Sequence, residues 1–340
     1  MSAHFPDPQT VRAALSLAAR APSVHNSQPW HWRVGPHSIQ LDADPSRHLP
    51  RTDPDRRDML ISCGATLHHC TVALAAMGWQ AKVHRFPNPA DRDHVASLEL
   101  HPQAPGELDV TLAAAITRRR TDRRTYGSWP VPVGDIALMG ARAARAGVML
   151  RQIELLPQLN AIVAESVARH NTDTDYLTEL NAWSGRHGSV AGVPARNAPP
   201  VDSRAPIPAR AFAGPALKQP ALASPVEDNG VMLALGTETD DDLARVRAGE
   251  ATSLVLLSAT AMGLATCPVT EPLEIPETRE AVRADVFGTS GHPQMLLRLG
   301  WAAINADPLP ATPRRPLPDI ADWLNDGAFI VGADAVSKAG

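Results

Sequence analysis

The sequence has 340 residues, of which 44% are hydrophobic and 20% charged, with a formal net charge of −4. This composition predicts a globular protein with one large core or two smaller ones, and the acidic balance argues against a protein that wraps nucleic acid. Three cysteines, Cys63, Cys70 and Cys267, are too few for a disulfide framework. We find no signal peptide and no run of 18 apolar residues, so a cytoplasmic protein without a membrane span is expected.

The first predicted elements are a helix over residues 10–20, with Thr10 as its N-cap, and a strand over Ser38–Ala43, where apolar and polar residues alternate. Three further elements are predicted downstream: helices over 133–146 and 155–170, and a buried strand over 295–301. Because helices and strands are mixed along the chain, an α+β fold is favoured.

Two glycine-bounded stretches, 64–78 and 249–263, share the ending Ala-Met-Gly and lie 185 positions apart. Each is rich in Ala, Leu, Val and Thr on almost every face, which predicts a long helix buried between layers and ended by glycine. A short β-prone piece follows each one, at 80–86 and 264–270. Two alanine-rich helices could share these letters by coincidence. The register kept past the helix favours a duplicated unit, with two halves packed back to back like a symmetric dimer within one chain.

Residues 184–229 lack both helical and strand periodicity, and eight prolines fall between Pro194 and Pro225. One interpretation is a flexible linker. The other is a lid over a functional site, because long irregular segments inside compact proteins often have that role. The position of the segment, just before the second glycine-bounded helix, makes the lid interpretation attractive.

Two arginine clusters are the main chemical signal. Residues 118–124 read RRRTDRR, and Arg314 and Arg315 lie between Pro313 and Pro316. A solvated basic patch is one explanation of the first cluster. The other is a phosphate monoester site, because guanidinium groups bind phosphate oxygens bidentately and a threonine hydroxyl adds a further hydrogen bond. Two such clusters in an acidic protein indicate one bound anion.

Other kinds of site have little support. The run His68-His69-Cys70 invites a metal interpretation, but neighbouring helical residues diverge and no second ligand pair has metal-site spacing. Cys63 and Cys70 share one helical face and are expected to be small buried hydrophobes. No GxGxxG follows a strand and no GxSxG is present, so neither a Rossmann nucleotide site nor a serine nucleophile is predicted.

Four segments together resemble the FMN-dependent nitroreductase family: the APSxxNxQPW turn (21–30), RRTDR (119–123), AMGLATCPV (261–269) and PRRPL (313–317). The single copy of each motif and the proline-rich insertion resemble the single-chain Acg-type branch. The resemblance implies an α+β nitroreductase-like fold duplicated within one chain as a pseudo-dimer, with central antiparallel or mixed sheets packed with helices. We expect halves at 1–110 and 111–330, the second containing the lid insertion 184–229.

The resemblance also implies one complete FMN pocket between the halves. The first half would place Pro22, Ser23, Val24 and Asn26 against the isoalloxazine and ribityl chain, with Gln28 holding the turn. A purely structural Asx-type turn is the alternative for Asn26 and Gln28.

The second half would supply the remaining contacts, each carried over from the family pattern. The phosphate would be held by four residues: Arg119, Thr121, Arg314 and Arg315. Arg123 would lie near N1 and O2 of the flavin, where a fixed cation stabilises charge that develops on reduction. Backbone groups of Val269, Thr270 and Glu271 would face N5. Glu271 stands where the family usually has glycine, so that side of the ring is expected to be more crowded.

The function implied by the resemblance is an oxidoreductase in which NAD(P)H delivers hydride to flavin N5 and a nitroaromatic or quinone-like acceptor takes the electrons. No side chain needs to act as an acid or base in that scheme. An FMN-binding or storage protein with a lid-occluded flavin is the alternative, and a pseudo-dimer that has lost flavin is a third. The expected partners are FMN and a small acceptor, without nucleic acid, membrane or metal, in a monomeric pseudo-dimer.

Overall fold

Two β-sheets, each packed on a long helix, form the framework of the protein in a computed structural model that describes residues 5–324 except 155, 186–187, 203, 206 and 222. The helices are α1 Pro8–Ala18, α2 Arg57–Ala76, α3 Glu107–Arg118, α4 Val133–Arg145, α5 Leu156–Thr172, α6 Thr174–Ala182, α7 Asp242–Ala261, α8 Glu271–Glu274 and α9 Pro276–Val282. The strands are β1 Trp30–Val34, β2 Ser38–Ala43, β3 Trp79–Arg85, β4 His94–Pro102, β5 Met149–Gln152, β6 Val231–Thr237, β7 Ala265–Val269, β8 His292–Gly300 and β9 Ala321–Trp323.

The two sheets repeat one strand order. The first sheet runs β3-β4-β2-β1-β9 and the second runs β5-β6-β8-β7, and neighbouring strands are antiparallel except that β9 pairs in parallel with β1. If the first four strands and the next four are each counted in chain order, both sheets place the third strand first, followed by the fourth, the second and the first (β3-β4-β2-β1 and β7-β8-β6-β5). This is the topology that an internal duplication would leave, and the duplication itself stays a prediction. The mixed helix and strand content agrees with the predicted α+β class.

The long helices α2 and α7 pack on each other where their glycines meet. A Cβ added to Gly64 would lie 2.0 Å from the carbonyl oxygen of Val246, and one added to Gly249 would lie 2.0 Å from that of Ile61. Only glycine therefore permits the two backbones to approach this closely. Gly64 and Gly249, the first glycine of each predicted repeat, are thus the contact point of the two helices.

Both long helices begin seven residues before the glycine at which the sequence placed their start. The predicted helices were too short because the pattern began at the glycine, whereas the helices start earlier, where aspartates accept hydrogen bonds from the first amides. Asp241 accepts a hydrogen bond from the amide of Ala244 (2.8 Å), and Asp53 accepts one from the amide of Met59 (2.8 Å). Both helices stop two residues before a glycine with positive φ, Gly78 or Gly263, as the pattern indicated.

By length and composition α2 could cross a membrane, since its mean hydropathy is 1.4. Within the structure it is a core helix, with 78% of that stretch buried. It packs between the first sheet and α7, where it contributes Leu67, Cys70 and Leu74 to the core of the first sheet. Its apolar character therefore has a structural explanation in the fold itself.

The remaining predicted elements are present with shifted ends. The first helix begins at Pro8 instead of Thr10, because Asp7 is the N-cap and accepts hydrogen bonds from the amides of Gln9 (2.9 Å) and Thr10 (3.0 Å). The strand Ser38–Ala43 is confirmed. The helices expected at 133–146 and 155–170 and the strand expected at 295–301 correspond to α4, α5 and β8. Residue 155 lies outside the described residues.

The predicted boundary between residues 110 and 111 falls inside α3, which packs on both α2 and α7. In addition, β9 joins the first sheet although it lies in the predicted second half. The C-terminal part of the chain therefore crosses to the first sheet and carries Arg314 and Arg315 with it.

The proline-rich stretch 184–229 contains two short 3-10 turns, Ala195–Asn197 and Pro225–Glu227, and no longer helix or strand among its described residues. It is not a free linker. The side-chain amide of Asn197 donates to the carbonyl of Pro310 (2.8 Å), and the carbonyl of Val190 accepts from Gln28 Nε2 (2.9 Å). We call the described residues of 184–229 the covering segment, because they extend over the cavity described next.

Candidate functional site

One cavity brings together eleven of the thirteen residues predicted to bind a cofactor. Its walls are the turn after α1, one face of α2, the segments 119–125 and 267–271, the covering segment, and residues 312 and 314. The predicted residues that line it are Pro22, Ser23, Val24, Asn26, Arg119, Thr121, Arg123, Val269, Thr270, Glu271 and Arg314. Gln28 and Arg315 lie outside its lining.

The turn between α1 and β1 has an unusual backbone. His25, Asn26 and Gln28 have φ values of 45°, 53° and 53°, a left-handed conformation that side chains other than glycine seldom adopt. Two hydrogen bonds hold this shape: the Val24 amide donates to Ser62 Oγ (3.2 Å), and the Gln28 amide donates to Ser23 Oγ (2.9 Å). Such a backbone persists only where its surroundings fix it, as they do here against α2.

The side-chain amides of Asn26 and Gln28 join the turn to two distant segments. Asn26 Nδ2 donates to the carbonyl of Gly192 (3.0 Å), and its Oδ1 accepts from Arg314 (3.0 Å). Gln28 is fully buried, and its Oε1 accepts from the amide of Arg315 (2.8 Å). Of the roles considered for Gln28, holding the turn fits these contacts, and its side chain does not line the cavity. Asn26 lines the cavity, but its amide is engaged by protein.

One end of the cavity carries buried positive charge. Arg119 is 6% exposed, and Nε of both Arg119 and Arg314 is buried with no hydrogen-bond partner in the part of the chain that the structure describes. Arg119 donates only a long bond to Thr121 Oγ1 (3.5 Å), whereas Arg314 donates to carbonyls such as that of Arg20 (3.0 Å). Within the same described residues, neither guanidinium pairs with a carboxylate.

The acid within the RRRTDRR segment does not neutralise this charge. Asp122 pairs with Arg124 (2.9 Å), and both side chains are buried. Burial, reinforced by neighbouring arginines, lowers the pKa of Arg119 to about 10 and that of Arg314 to about 9. Uncompensated buried cations are costly, so this end of the cavity is built for an anion. The solvated-patch interpretation holds for the exposed Arg118 but not for Arg119.

Arg315 points away from this end, which corrects its prediction as a phosphate ligand. Its Nη1 lies 3.6 Å from Asp44 Oδ2, and its Nη2 donates to the carbonyl of Asp319 (2.5 Å). Consecutive side chains in this irregular segment face opposite sides, so only Arg314 reaches the cavity. The sequence could not distinguish the two arginines.

The other end of the cavity is formed where β7 meets α8, at Val269, Thr270 and Glu271. The side chain of Glu271 is buried, lying 3.1 Å from Nδ1 of His170 and 3.6 Å from Nε of Arg210. Although burial opposes ionisation, the Arg210 charge and the His170 hydrogen bond lower the pKa of Glu271. The Glu271 carboxylate is thus held by partners in the protein.

Sequence reasoning missed the residues with which the covering segment contacts this end. Arg210 donates to Glu274 Oε1 (2.5 Å) and lies 2.8 Å from Nε2 of His25. Phe212 lies under the guanidinium of Arg123, 4.8 Å from ring centroid to Cζ. The available signal was one cation and one aromatic ring within the alanine- and proline-rich stretch PARAFAGPA (208–216).

The histidines that invited a metal interpretation have another role. Nδ1 of His68 and Nδ1 of His69 lie 2.7 and 2.8 Å from the same hydroxyl, Ser253 Oγ on α7. They therefore contribute to the packing of α2 on α7. No group of three or more potential ligands is placed to hold a metal ion among the described residues.

The fold and the site together define a protein class. A family model described as "Nitroreductase family" matches residues 116–301, more than half of the chain. The chain belongs to the nitroreductase family.

Particular relatives extend the match to nearly the whole length. The chain is 64% identical over 323 residues to a Mycobacterium tuberculosis protein named "Putative NAD(P)H nitroreductase Rv3131", covering 95% of this chain and 94% of that one. It is 35% identical over 321 residues to "Putative NAD(P)H nitroreductase acg" of the same organism, covering 91% and 94%. A third relative there, "Uncharacterized protein Rv3127", is 34% identical over 329 residues, covering 91% and 92%.

Proposed function

We propose that this protein is an FMN-dependent oxidoreductase of nitroreductase type that uses NAD(P)H. The observation that carries the proposal is the pair Arg119 and Arg314. Arg119 is buried and Arg314 half-buried, and in the described part of the chain each has a buried Nε without a hydrogen-bond partner and neither pairs with a carboxylate. A phosphate monoester satisfies such groups with two negative charges and several acceptor oxygens. Family membership and the names of the relatives support the same assignment.

The residues present fit FMN. Arg119, Thr121 and Arg314 would hold its phosphate, and the turn residues 22–24 and the segment 267–271 would line the rest of the molecule. Bound FMN would supply hydride chemistry at N5, taking two electrons from NAD(P)H and giving them to a quinone or nitro compound. Arg123 would place a fixed cation beside the bound ring. Its half-buried guanidinium is already held against Phe212 and needs little reorganisation when charge develops.

The protein would also exclude water from the reacting groups. Ile61 and Ala65 on α2 provide an apolar wall, and Phe212 of the covering segment stacks on Arg123 from the other side. A dry cavity strengthens every electrostatic interaction within it. The covering segment therefore has one of two effects: it excludes water from the cavity during the reaction, or it prevents nicotinamide from entering the cavity.

A specific observation favours storage as the second candidate function. Arg210 anchors the covering segment on Glu274 and Glu271, directly over the 269–271 end where nicotinamide would have to stack. A segment fixed by two buried ion pairs opens rarely, because removing one partner leaves the other charge buried and unpaired. Under this alternative the protein holds FMN and exchanges no hydride with NAD(P)H.

The experiment starts with the visible spectrum of freshly purified protein and identification of the flavin released on denaturation. Anaerobic mixing with NADPH or NADH in a stopped-flow instrument then follows loss of the yellow absorbance. Rapid bleaching, reversed by a quinone, supports the oxidoreductase. Bleaching seen in Arg210→Ala but absent from wild type and from Arg204→Ala supports storage, because Arg204 lies in the same segment with its side chain 78% exposed. Colourless protein that also fails to take up added FMN contradicts both.

A further inference from the structure

The α2 helix presents one titratable side chain to the cavity, and the reaction scheme above does not use it. Asp58, Ile61, Ser62 and Ala65 line the cavity at spacings of three or four residues, which places them on one helical face. Asp58 is 9% exposed, and no described residue donates a hydrogen bond to its carboxyl group. A buried carboxylate without a donor is strongly disfavoured, so Asp58 is expected to hold a proton.

A second carboxyl oxygen without a donor in the described part of the chain belongs to Glu274 on α8. Glu274 Oε1 accepts from Arg210 (2.5 Å) and from Thr270 Oγ1 (2.7 Å), but Glu274 Oε2 is buried without a donor among the described residues. The Glu274 carboxylate acts on Asp58 through its charge, because it is one of the groups that raise the pKa of Asp58.

The surrounding charges support this protonation state. Burial, together with the Asp53 and Glu274 carboxylates, raises the pKa of Asp58 well above its usual value against the opposing charges of Arg57 and Arg210. Burial also raises the pKa of Asp53, to about 6, while the amides of Met59 and Asp58 lower it by hydrogen bonding. Burial and the neighbouring carboxylates therefore both favour the protonated form of Asp58.

The acid is a property of this cavity and not of the fold. The position on α7 that corresponds to Asp58, 185 residues later, is Leu243. Both residues belong to the first turn of a long helix in which a nearby amide donates to another aspartate, Asp53 or Asp241. A carboxyl group at this point is thus unnecessary for forming such a helix, and the Asp58 side chain lines the cavity.

We propose that Asp58 donates a proton to the oxygen of the acceptor that is reduced in this cavity, and this rests on the proposed function. Reducing a quinone carbonyl or a nitro group by hydride adds two electrons and leaves an oxygen that needs one proton. In the proposed step the O–H bond of Asp58 breaks, an O–H bond forms on the acceptor, and the electron pair stays on the Asp58 carboxylate. Water then returns the proton to Asp58. The reductant is the one that the proposed function supplies.

The test compares Asp58→Asn and Asp58→Glu with Leu243→Asn, which introduces the same amide at the corresponding place on α7. Flavin-loaded protein is reduced with dithionite under nitrogen and mixed with 1,4-benzoquinone across a range of pH. General acid catalysis contributes about 100-fold or more to a rate, so Asp58→Asn should be slowed by about that factor. Asp58→Glu should recover most of the rate, and Leu243→Asn should match wild type.

Two further measurements separate an acid from a structural residue. The wild-type rate should fall as the pH rises through the pKa of Asp58, and the Asp58→Asn rate should lose that dependence. The infrared difference spectrum of wild type minus Asp58→Asn, recorded without acceptor, should show the carbonyl band of a protonated carboxyl group. If Asp58→Asn does not fold, the same pH profile is measured on Asp58→Glu and should be displaced along the pH axis.

The outcomes are distinct. Wild-type protein that the quinone does not reoxidise overturns the proposed function and the role of Asp58 with it. Two results overturn only the role of Asp58 when the wild type is reoxidised. In one, Asp58→Asn matches the wild-type rate at every pH; in the other, Asp58→Glu keeps the wild-type pH profile unshifted. Absence of the carboxyl band also overturns it.

Discussion

The cavity and a groove formed mainly by α2, α7 and α4 correspond to each other through the 185-residue offset, yet they are lined by different kinds of side chain. The groove is lined by His68, Arg85, Leu108, Arg142, residues 144–147, Arg247, Glu250 and Leu254. Counting 185 positions along the chain, Glu250 corresponds to Ala65 and Arg85 to Thr270, two residues of the cavity lining. Where the cavity has a methyl group and a short hydroxyl, the groove has an ion pair with contacts of 2.7 and 2.8 Å.

The two regions differ in their loops as well. Eleven residues separate α1 from β1 on the cavity side, whereas three separate α4 from β5 on the groove side. The longer connection contains the turn with three left-handed residues that faces the cavity, whereas the shorter one has a single left-handed residue, Gly147 (φ 74°). Small side chains and a long connection thus open one site, and a buried ion pair and a short connection fill the other. We therefore predict one ligand per chain.

The largest effect is expected from removing the charge that distinguishes the cavity. Arg119→Ala combined with Arg314→Ala should abolish retention of FMN through purification, because each charge-assisted hydrogen bond contributes about 1.5–3 kcal/mol. Riboflavin, which lacks the phosphate, should bind the wild type and the double variant equally weakly. Equilibrium dialysis followed by flavin fluorescence measures both affinities.

The matched control is Arg118→Ala, which removes an exposed arginine from the same segment and should leave retention unchanged. Arg315→Ala should behave like this control, because its guanidinium lies outside the cavity lining. Equal loss in Arg314→Ala and Arg315→Ala would show that the two arginines act together and would restore the role that the sequence suggested for Arg315.

A smaller effect is expected where the cavity and the groove share their support, at the helix crossing. Gly64→Ala places a methyl group 2.0 Å from a backbone carbonyl oxygen of α7, so the helices must move apart. Overpacking of this kind costs about 3 kcal/mol when the neighbour is backbone that cannot turn aside. Urea unfolding followed by circular dichroism should show this loss.

Gly134→Ala is the control, because a Cβ at that position in α4 has nothing within 4 Å. That substitution should raise stability by about 0.5–1 kcal/mol through helix propensity alone. The opposite signs of two Gly→Ala changes would establish that contact at the crossing, and not glycine in a helix, is what matters. Gly64→Ala with wild-type stability would mean that the helices are not held at this distance.

The features that the sequence predicted well are those with local signals. The glycine-bounded helices, the Ser38–Ala43 strand and the RRTDR segment were visible because periodicity, glycine and charge act within a few residues. The helix starts at Arg57 and Asp242 were missed because their caps lie before the apolar run that gave the pattern. Asp58 therefore fell outside the predicted helix and escaped notice as a buried acid.

Other parts of the site depend on contacts between distant segments. Arg210 meets Glu274, 64 positions away, and Asn26 meets Gly192, 166 positions away. No local pattern encodes which of Arg314 and Arg315 faces the cavity, because the choice is made when the C-terminal segment packs on the turn. The resemblance to a family supplied the order of the motifs, and only the fold shows which side chains meet.

The smallest effect is expected from giving the groove the residues of the cavity. Arg85→Thr alone should cost about 1–2 kcal/mol, because it leaves the Glu250 carboxylate, 8% exposed, without its counterion. Adding Glu250→Ala should recover most of that loss, since a buried pair can often be replaced without penalty once both charges are gone.

Burial raises the pKa of Glu250 although Arg85 opposes this, so Glu250 favours the folded state at low pH and loses that contribution as the pH rises. The cost of Arg85→Thr should therefore be smaller at pH 4.5 than at pH 7.5 in urea titrations. If the double variant is as unstable as Arg85→Thr, the side chains of Arg85 and Glu250 stabilise the groove by packing and not by charge balance. If the double variant binds a second FMN per chain, the ion pair alone keeps the groove closed.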